Sequence, residues 1–295
     1  MPLATADEAA HWLRSEAANW LGALRIAAGA DEHRRVVETA EALHWFSDTS
    51  IAWRGWYEVY GLSRASAAAL GDRRLEVTHL NYYAWAASAC ARRYDEGLAA
   101  ALAARDIAAA DGDLKEEAWA LQYAADAVHL DGRPWEALEF LRQALRPADL
   151  ADDHDGYVHL LVRMGNVQDI QGRHEEALAT YGKALRELTE RPVSAHQEAA
   201  LARILVYSAH ALGLLGRHEE ALEQAQEALA TTTARETPAL TCRLHLARGL
   251  ALAGLGNHRA ARAELTRVVE LTEEMPLHSR AFSDEATKVL ASLGG

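Results

Sequence analysis

Cysteine is scarce in this chain: Cys90 and Cys242 are the only two in 295 residues, and no CxxC pair occurs. Two thiols cannot form a disulfide framework for a chain this long. The expectation is two small buried apolar side chains in a reducing cytoplasm. Basic residues are outnumbered, 30 Lys and Arg against 43 Asp and Glu, for a formal net charge of −13. Direct nucleic-acid binding, which draws its affinity from cations on phosphates, is therefore not expected, and neither is an anionic membrane surface. No run approaches the ~18–20 uncharged apolar residues of a membrane span. The start, Met1-Pro2-Leu3-Ala4-Thr5-Ala6-Asp7-Glu8, lacks the basic and apolar regions of a signal peptide. Missing too are GxxxxGK[ST], GxSxG and HExxH patterns, so neither a P-loop nucleotide site nor a familiar hydrolytic centre is expected.

What the chain does contain is itself, several times over. Gly132-Arg133-Pro134-Trp135-Glu136-Ala137-Leu138, Gly172-Arg173-His174-Glu175-Glu176-Ala177-Leu178, Gly216-Arg217-His218-Glu219-Glu220-Ala221-Leu222 and Gly256-Asn257-His258-Arg259-Ala260-Ala261-Arg262 align directly. A weaker copy begins at Arg92 and an eroded one surrounds Trp53-Arg54-Gly55-Trp56. Starts at 92, 132, 172, 216 and 256 give steps of 40, 40, 44 and 40. Each Gly follows an apolar-periodic helix and suits the left-handed residue that ends it. The acidic residues after it suit the first turn of the next helix. Ala137, Ala177, Ala221 and Ala261 mark the close crossing of two antiparallel helices. Polar breaks at Gly71-Asp72, Asp111-Gly112-Asp113, Asp152 to Gly156, Arg191-Pro192 and Glu236-Thr237-Pro238 should close each unit and cap the next. Sustained period-2 alternation is absent, so no sheet is predicted.

A small residue, seven positions, Gly, two positions, Glu-Ala and then Ala-Leu resembles the tetratricopeptide repeat (TPR) consensus. The small residues are Ala125, Gly165, Ala209 and Gly249. In the first copy Trp85 replaces the small residue, predicting a more open helix pair. The resemblance implies an all-α, right-handed α-solenoid of about fourteen helices in antiparallel pairs. Residues 1–71 are expected to form an N-terminal helical segment with an eroded repeat and 72–275 the TPR-like repeats. Residues 276–295 should form a C-terminal cap around Ser283–Leu290, all in one continuous solenoid. The period of 40 exceeds the family's usual 34. Units of this length look like the TPR arrays of bacterial signalling regulators. Trp12-Leu13, Glu16 and Asn19-Trp20-Leu21, followed by Glu41-Ala42-Leu43-His44-Trp45-Phe46, resemble the stretch that leads into the C-terminal TPR array of actinomycete antibiotic-pathway regulators, the NB-ARC/SARP-type family. That resemblance implies a transcriptional or signalling role beside an ATPase or DNA-binding partner module. Catalysis and a cofactor are not expected.

In TPR proteins the groove is lined thirteen, ten, six and three residues before the turn Gly. Carried onto this sequence, the rows give Trp119, Gln122, Asp126 and His129, then His159, Val162, Asn166 and Asp169. Arg203, Val206, His210 and Gly213 follow, then Arg243, Leu246, Leu250 and Ala253; the first copy gives His79, Tyr82, Ala86 and Ala89. The partner-binding groove expected from them comprises His79, Tyr82, Trp119, Gln122, Asp126, His129, His159, Asn166, Asp169, Arg203, His210 and Arg243. It suits an extended peptide or a protein helix. Gln122 and Val162 stand where chaperone-tail binders carry Lys, and Asp126 would repel a carboxylate, so a chaperone tail is not expected.

Asp152-Asp153-His154-Asp155 could attract a hard cation, but a helix-capping loop explains it better, and no metal is expected. His174, His218 and His258 recur two residues after the turn and read as repeat packing. All eight tryptophans precede residue 136, which predicts a dense aromatic core in the first third. The alternative is an aromatic pocket for a small molecule.

Overall fold

Among the described residues six glycines carry positive φ, and they punctuate the chain: Gly71, Gly112, Gly132, Gly172, Gly216 and Gly256, between 65° and 83°. At the four turn glycines the following residue donates its amide back across the helix end. Arg133 N–H reaches Val128 O at 2.8 Å, Arg173 reaches Gln168 at 3.0 Å, Arg217 reaches Leu212 at 3.0 Å and Asn257 reaches Leu252 at 2.9 Å. This closure satisfies carbonyls the helix leaves orphaned and reverses the chain within three residues.

The computed structural model describes residues 5–50, 53–189, 195–231, 237–273 and 280–293. The breaks predicted at Arg191-Pro192 and Glu236, and the 275/276 boundary, lie outside these residues. All regular structure among the described residues is helical, with sixteen α-helices and one π-helical turn. The chain forms two units, Met1–Ala151 and Asp152–Gly295. The first contains α1 (Ala6–Ser15), α2 (Ala17–Gly29), α3 (His33–Ala42), α4 (His44–Thr49), α5 (Trp56–Leu70), α6 (Arg73–Trp85), the π turn Ala86–Cys90, α7 (Tyr94–Asp111), α8 (Leu114–Leu130) and α9 (Pro134–Leu150). The second contains α10 (His154–Ile170), α11 (His174–Thr189), α12 (Ala195–Leu214), α13 (His218–Leu229), α14 (Pro238–Gly254), α15 (His258–Glu273) and α16 (Arg280–Ser292). The excess over fourteen comes from the N-terminal stretch, which breaks into four short helices. No described helix is long and apolar enough to cross a membrane.

Local rules position these elements. Asp72, Asp113 and Asp153 accept hydrogen bonds from the amides of Leu75, Glu116 and Gly156 at 3.1–3.3 Å, capping α6, α8 and α10. Each such cap is worth ~1 kcal/mol. Asp153 thus occupies the densest acidic loop as a cap, while His154 Nε2 bonds Glu187 O at 2.8 Å. Among the described residues no group of three His, Cys, Asp or Glu could hold a metal.

Small residues set the helix crossings. Ala137, Ala177, Ala221 and Ala261 are completely buried. A Cβ at Gly165 would strike the ring of Tyr181, and one at Gly249 would strike Leu265. In the first copy the expected open pairing does not occur. The π turn adds a residue, so Arg93 N–H bonds Ala87 O, one position farther back than at the other turns. Trp85 is only half-buried, and a Cβ at Gly97 would instead meet Ser88 Oγ and the Ala84 carbonyl. The same copy lacks the turn glycine: Arg92 adopts φ 59°. A side chain there costs about 1–2 kcal/mol, so Arg92→Gly should stabilise the protein by about 1 kcal/mol in chemical denaturation. An unchanged midpoint would mean the turn bears no strain.

The first core is aromatic. Trp56 and Tyr60 are fully buried beside Phe46 and Tyr83, with Trp20, Trp53 and Trp56 within 5.0–6.1 Å of one another. The second core is aliphatic. Ala286, Phe282, Val289 and Leu290 of α16 close over Cys242, Leu246, Leu265 and Val268. Fully burying each such Leu or Val contributes about 1.5–3 kcal/mol. Both cysteines are free and buried, and burial pushes the Cys242 thiol up to about 11, which removes it as a nucleophile near neutrality.

Candidate functional site

In the second unit the first helices of successive pairs, α10, α12 and α14, turn polar side chains toward α16. A cavity of about 520 Å³ opens there, lined by Asn166, Asp169, Arg203, His210 and Arg243 among others. Five expected groove residues, from three repeats, therefore share one site. They occupy the rows thirteen, six and three residues before the turn glycine. The row at ten is buried: Gln122, Val162, Val206 and Leu246 are at most 5% exposed.

Asp169 is the hub. Its carboxylate is 1% exposed and accepts from His174 Nδ1 at 2.7 Å and His210 Nδ1 at 2.9 Å. Burial alone would raise its pKa, but the histidine hydrogen bonds and the nearby Arg243 charge prevail and lower it. His210 mirrors this. Burial disfavours its cation, yet the bond to Asp169 and the approach of Glu285 raise its pKa. Its Nε2 is buried, 3.5 Å from Glu285 Oε1, and makes no hydrogen bond. That separation gives ion-pair attraction without a well-formed bond.

Arg243 is 94% buried by its 6% exposure. Its guanidinium lies over the Tyr207 ring at 4.5 Å and near the Phe282 ring at 5.4 Å. One nitrogen, Nη1, donates to Asn166 Oδ1 at 2.6 Å, while the buried Nε has no acceptor among the described residues. Cation–π contact of this kind is worth up to about 2 kcal/mol when desolvated, but it supplies no countercharge. Arg203, half-exposed on α12, lines the same cavity.

Tyr207, Phe282, Glu285 and His174 escaped the sequence reading. Tyr207 sits one helical turn after Arg203 and one before His210, a spacing that could have identified it. Phe282 and Glu285 share a face of α16, whose register no turn glycine fixes. His174 was assigned to repeat packing; that description fits His218, whose ring fills the space beside Gly254.

The first-unit candidates do not converge this way. His79 is fully buried, with Nδ1 3.0 Å from Ser63 Oγ, and Tyr82 stacks on His44 at 4.2 Å between ring centres. Trp119 is half-buried with its ring 6.2 Å from Tyr123. Gln122 is buried; Asp126 and His129 are half-buried on α8. In the second unit His159, half-buried on α10, does not line the cavity. A separate cavity of about 390 Å³, lined by Leu13, Arg14, Ala17, Trp20, Phe46, Ser50 and Trp53, lies near the N-terminus.

No protein-family model matches the chain, and no curated protein matches it in sequence. Solved structures do match in fold. The apo form of RapI is 11% identical with a TM-score of 0.62, covering 89% of this chain and 97% of that one. NprR, a quorum sensor from B. thuringiensis, matches in its apo form at 13% identity and TM-score 0.58, covering 93% of this chain and 81% of that one. Its complex with the cognate peptide NprX matches at 15% and 0.55, covering 88% and 70%. Nearly identical TPR-like repeats of a kinesin light chain from Podosopora anserina match at 15% and 0.50, covering 68% of this chain and 96% of that one. Identities this low speak for the fold alone, and with the glycine-punctuated helix pairs they give it: the chain has an all-α, tetratricopeptide-type helical-repeat fold.

Proposed function

We propose that this chain is a non-catalytic scaffold that binds an extended peptide or protein segment, anchored in the second-unit cavity. The observation that supports this most is the meeting of Asn166, Asp169, Arg203, His210 and Arg243, from three successive repeats, around one opening. Asn166 and Arg203 offer donors and acceptors of the kind that hold a peptide backbone, and Tyr207 and Phe282 offer apolar walls. NprR, of like fold, was solved with its peptide NprX. The groove residues named from the sequence, apart from the buried His79 and Gln122, and the division at 71/72 and 275/276, remain part of the proposal. So does the wider setting: a cytoplasmic sensor or interaction module of a bacterial transcriptional or signalling regulator, working with an ATPase or DNA-binding module. Its support is the resemblance around Trp12 to Leu21.

Fluorescence polarisation with a dye-labelled degenerate octapeptide library tests the core of the proposal. Binding to the wild type should weaken at least tenfold in Asn166→Ala and Arg203→Gln, with a smaller loss in Trp119→Ala. Full binding in all three variants would remove the groove from the account. The second reading is a small-molecule sensor, favoured by the aromatic cavity around Trp20, Phe46 and Trp53. A metabolite that raises the melting temperature and quenches tryptophan fluorescence, with no peptide bound, would replace the first reading with this one.

A further inference from the structure

Among the described residues lining the second-unit cavity, the carboxylates are already engaged while neither guanidinium has a carboxylate bonded to it. The carboxylates are Asp169 and Glu285. Asp169 has both oxygens engaged, one by each histidine. Glu285 stands 3.5 Å from His210. Facing them are two guanidiniums. Arg243 is buried with only a neutral amide on Nη1 and nothing on Nε. Arg203 makes no hydrogen bond or ion pair among the described residues, although it lines the same opening. The field of Asp169 acts on Arg243, but both Asp169 oxygens are bonded to histidines, and a buried donor left without an acceptor is costly. The unbonded Nε of Arg243 is a donor already stripped of water, and buried Nε2 of His210 is one whenever the ring is protonated, because Nδ1–H is engaged by Asp169. Their desolvation cost is incurred in the free protein, so an oxyanion arriving there gains charge-assisted hydrogen bonds with little further penalty. The Tyr207 and Phe282 ring centres lie 4.5 and 5.4 Å from the Arg243 guanidinium, whose planar edge is a fork of donors. A fork of this geometry matches the two oxygens of a carboxylate or of a phosphate.

We propose that the cavity is an oxyanion receptor in which Arg203 and Arg243, joined by His210 Nε2 when that ring is protonated, clasp the carboxylate or phosphate group of the bound ligand. For the peptide reading this names the anchoring chemistry: an acidic residue or a free C-terminus enters the cavity, and the rest of the peptide continues outside it. The inference rests on that reading only for the source of the oxyanion. Asp126, the residue that argued against carboxylate binding, belongs to the first unit and does not line this cavity.

Two experiments on the full chain separate the claims. In the first, inorganic phosphate and N-acetyl-glutamate α-amide are titrated into wild type and variants, with thermal stability and calorimetry as readouts. At least one should bind the wild type saturably, and the tighter of the two identifies the oxyanion. Arg203→Gln and Arg243→Gln should each weaken it about tenfold or more. Arg243→Gln alters a buried side chain, so Arg203→Gln, at a half-exposed residue without a hydrogen-bond or ion-pair partner among the described residues, is the decisive variant. Absence of binding by both probes, or undiminished binding in Arg203→Gln, overturns the receptor. In the second, two octapeptide libraries are compared, one carrying Asp and Glu and a free C-terminus, the other Asn and Gln and a C-terminal amide. The acidic library should bind at least tenfold more tightly. Equal affinities overturn the receptor while leaving peptide binding in place. Failure of both libraries, with phosphate or N-acetyl-glutamate α-amide still bound through Arg203, removes the peptide and keeps the receptor.

Discussion

Asp169→Ala should cost the second unit about 3–5 kcal/mol, the range expected when one partner is removed from a buried charge network. Two histidines lose their acceptor at once, and Arg243 loses the nearest negative field. The loss should depend on pH in a defined direction. Asp169 has a lowered pKa in the folded protein, so its contribution is complete above about pH 4 and declines only as pH falls through the folded value. His210 has a raised pKa; its contribution is complete below about pH 6.5 and is lost as pH rises through the folded value. The network is therefore strongest in mildly acidic solution, between those limits. Without the carboxylate, burial dominates at His210, and protonation becomes a liability where it was an asset. The penalty of Asp169→Ala should thus be larger at pH 5.5 than at pH 8. Urea denaturation followed by circular dichroism at both values measures it. Equal penalties would show that His210 is neutral in the folded protein throughout.

The opposite pH response is expected at His79. It is fully buried among Ser63, Tyr82 and His44, with Glu41 Oε1 3.8 Å from its unbonded Nε2. Burial, helped by the His44 charge, lowers its pKa to about 4. The unfolded chain binds the proton near pH 6.5, so acidification from 6.5 to about 4 withdraws stability, by roughly 3 kcal/mol from this group. Glu116, whose burial raises its carboxyl pKa, acts in the contrary sense across the same interval. The comparison that isolates His79 is therefore wild type against His79→Gln, which can keep the bond to Ser63. Tryptophan fluorescence reads the first unit, since every tryptophan precedes residue 136. The variant should unfold at the lower urea concentration at pH 7 and lose less stability on acidification. Parallel acid profiles for both proteins would mean that His79 is already solvated.

These two residues also show how far sequence reasoning reached. The repeat register alone placed both in one class, as groove positions. Register is fixed by backbone geometry: a left-handed glycine, an Asp cap and an alanine at each crossing recur because helix pairs cannot close or approach without them. Those features were legible, and the structure has them. A row's exposure is not fixed by register, because it depends on what packs against it. In the second unit the row at thirteen reaches a cavity. In the first, α3 and α4 fold back over the equivalent position, and His79 becomes core. The π turn was equally illegible, since Ala86 to Cys90 carries no residue that forbids an ordinary α-helix. The contribution of α16 was hidden for a related reason. Its Phe282 and Glu285 complete the site across a long sequence separation, and a lone helix outside the repeat offers no register from which to count.

Amide hydrogen exchange of the full chain, with and without a saturating pool of acidic octapeptides, addresses the central claim most directly. Slowed exchange in α10, α12, α14 and α16, with Arg203→Gln abolishing it, is the predicted outcome. Protection confined to α1 through α4, around Trp20 and Trp53, or unchanged exchange throughout the second unit, would contradict it.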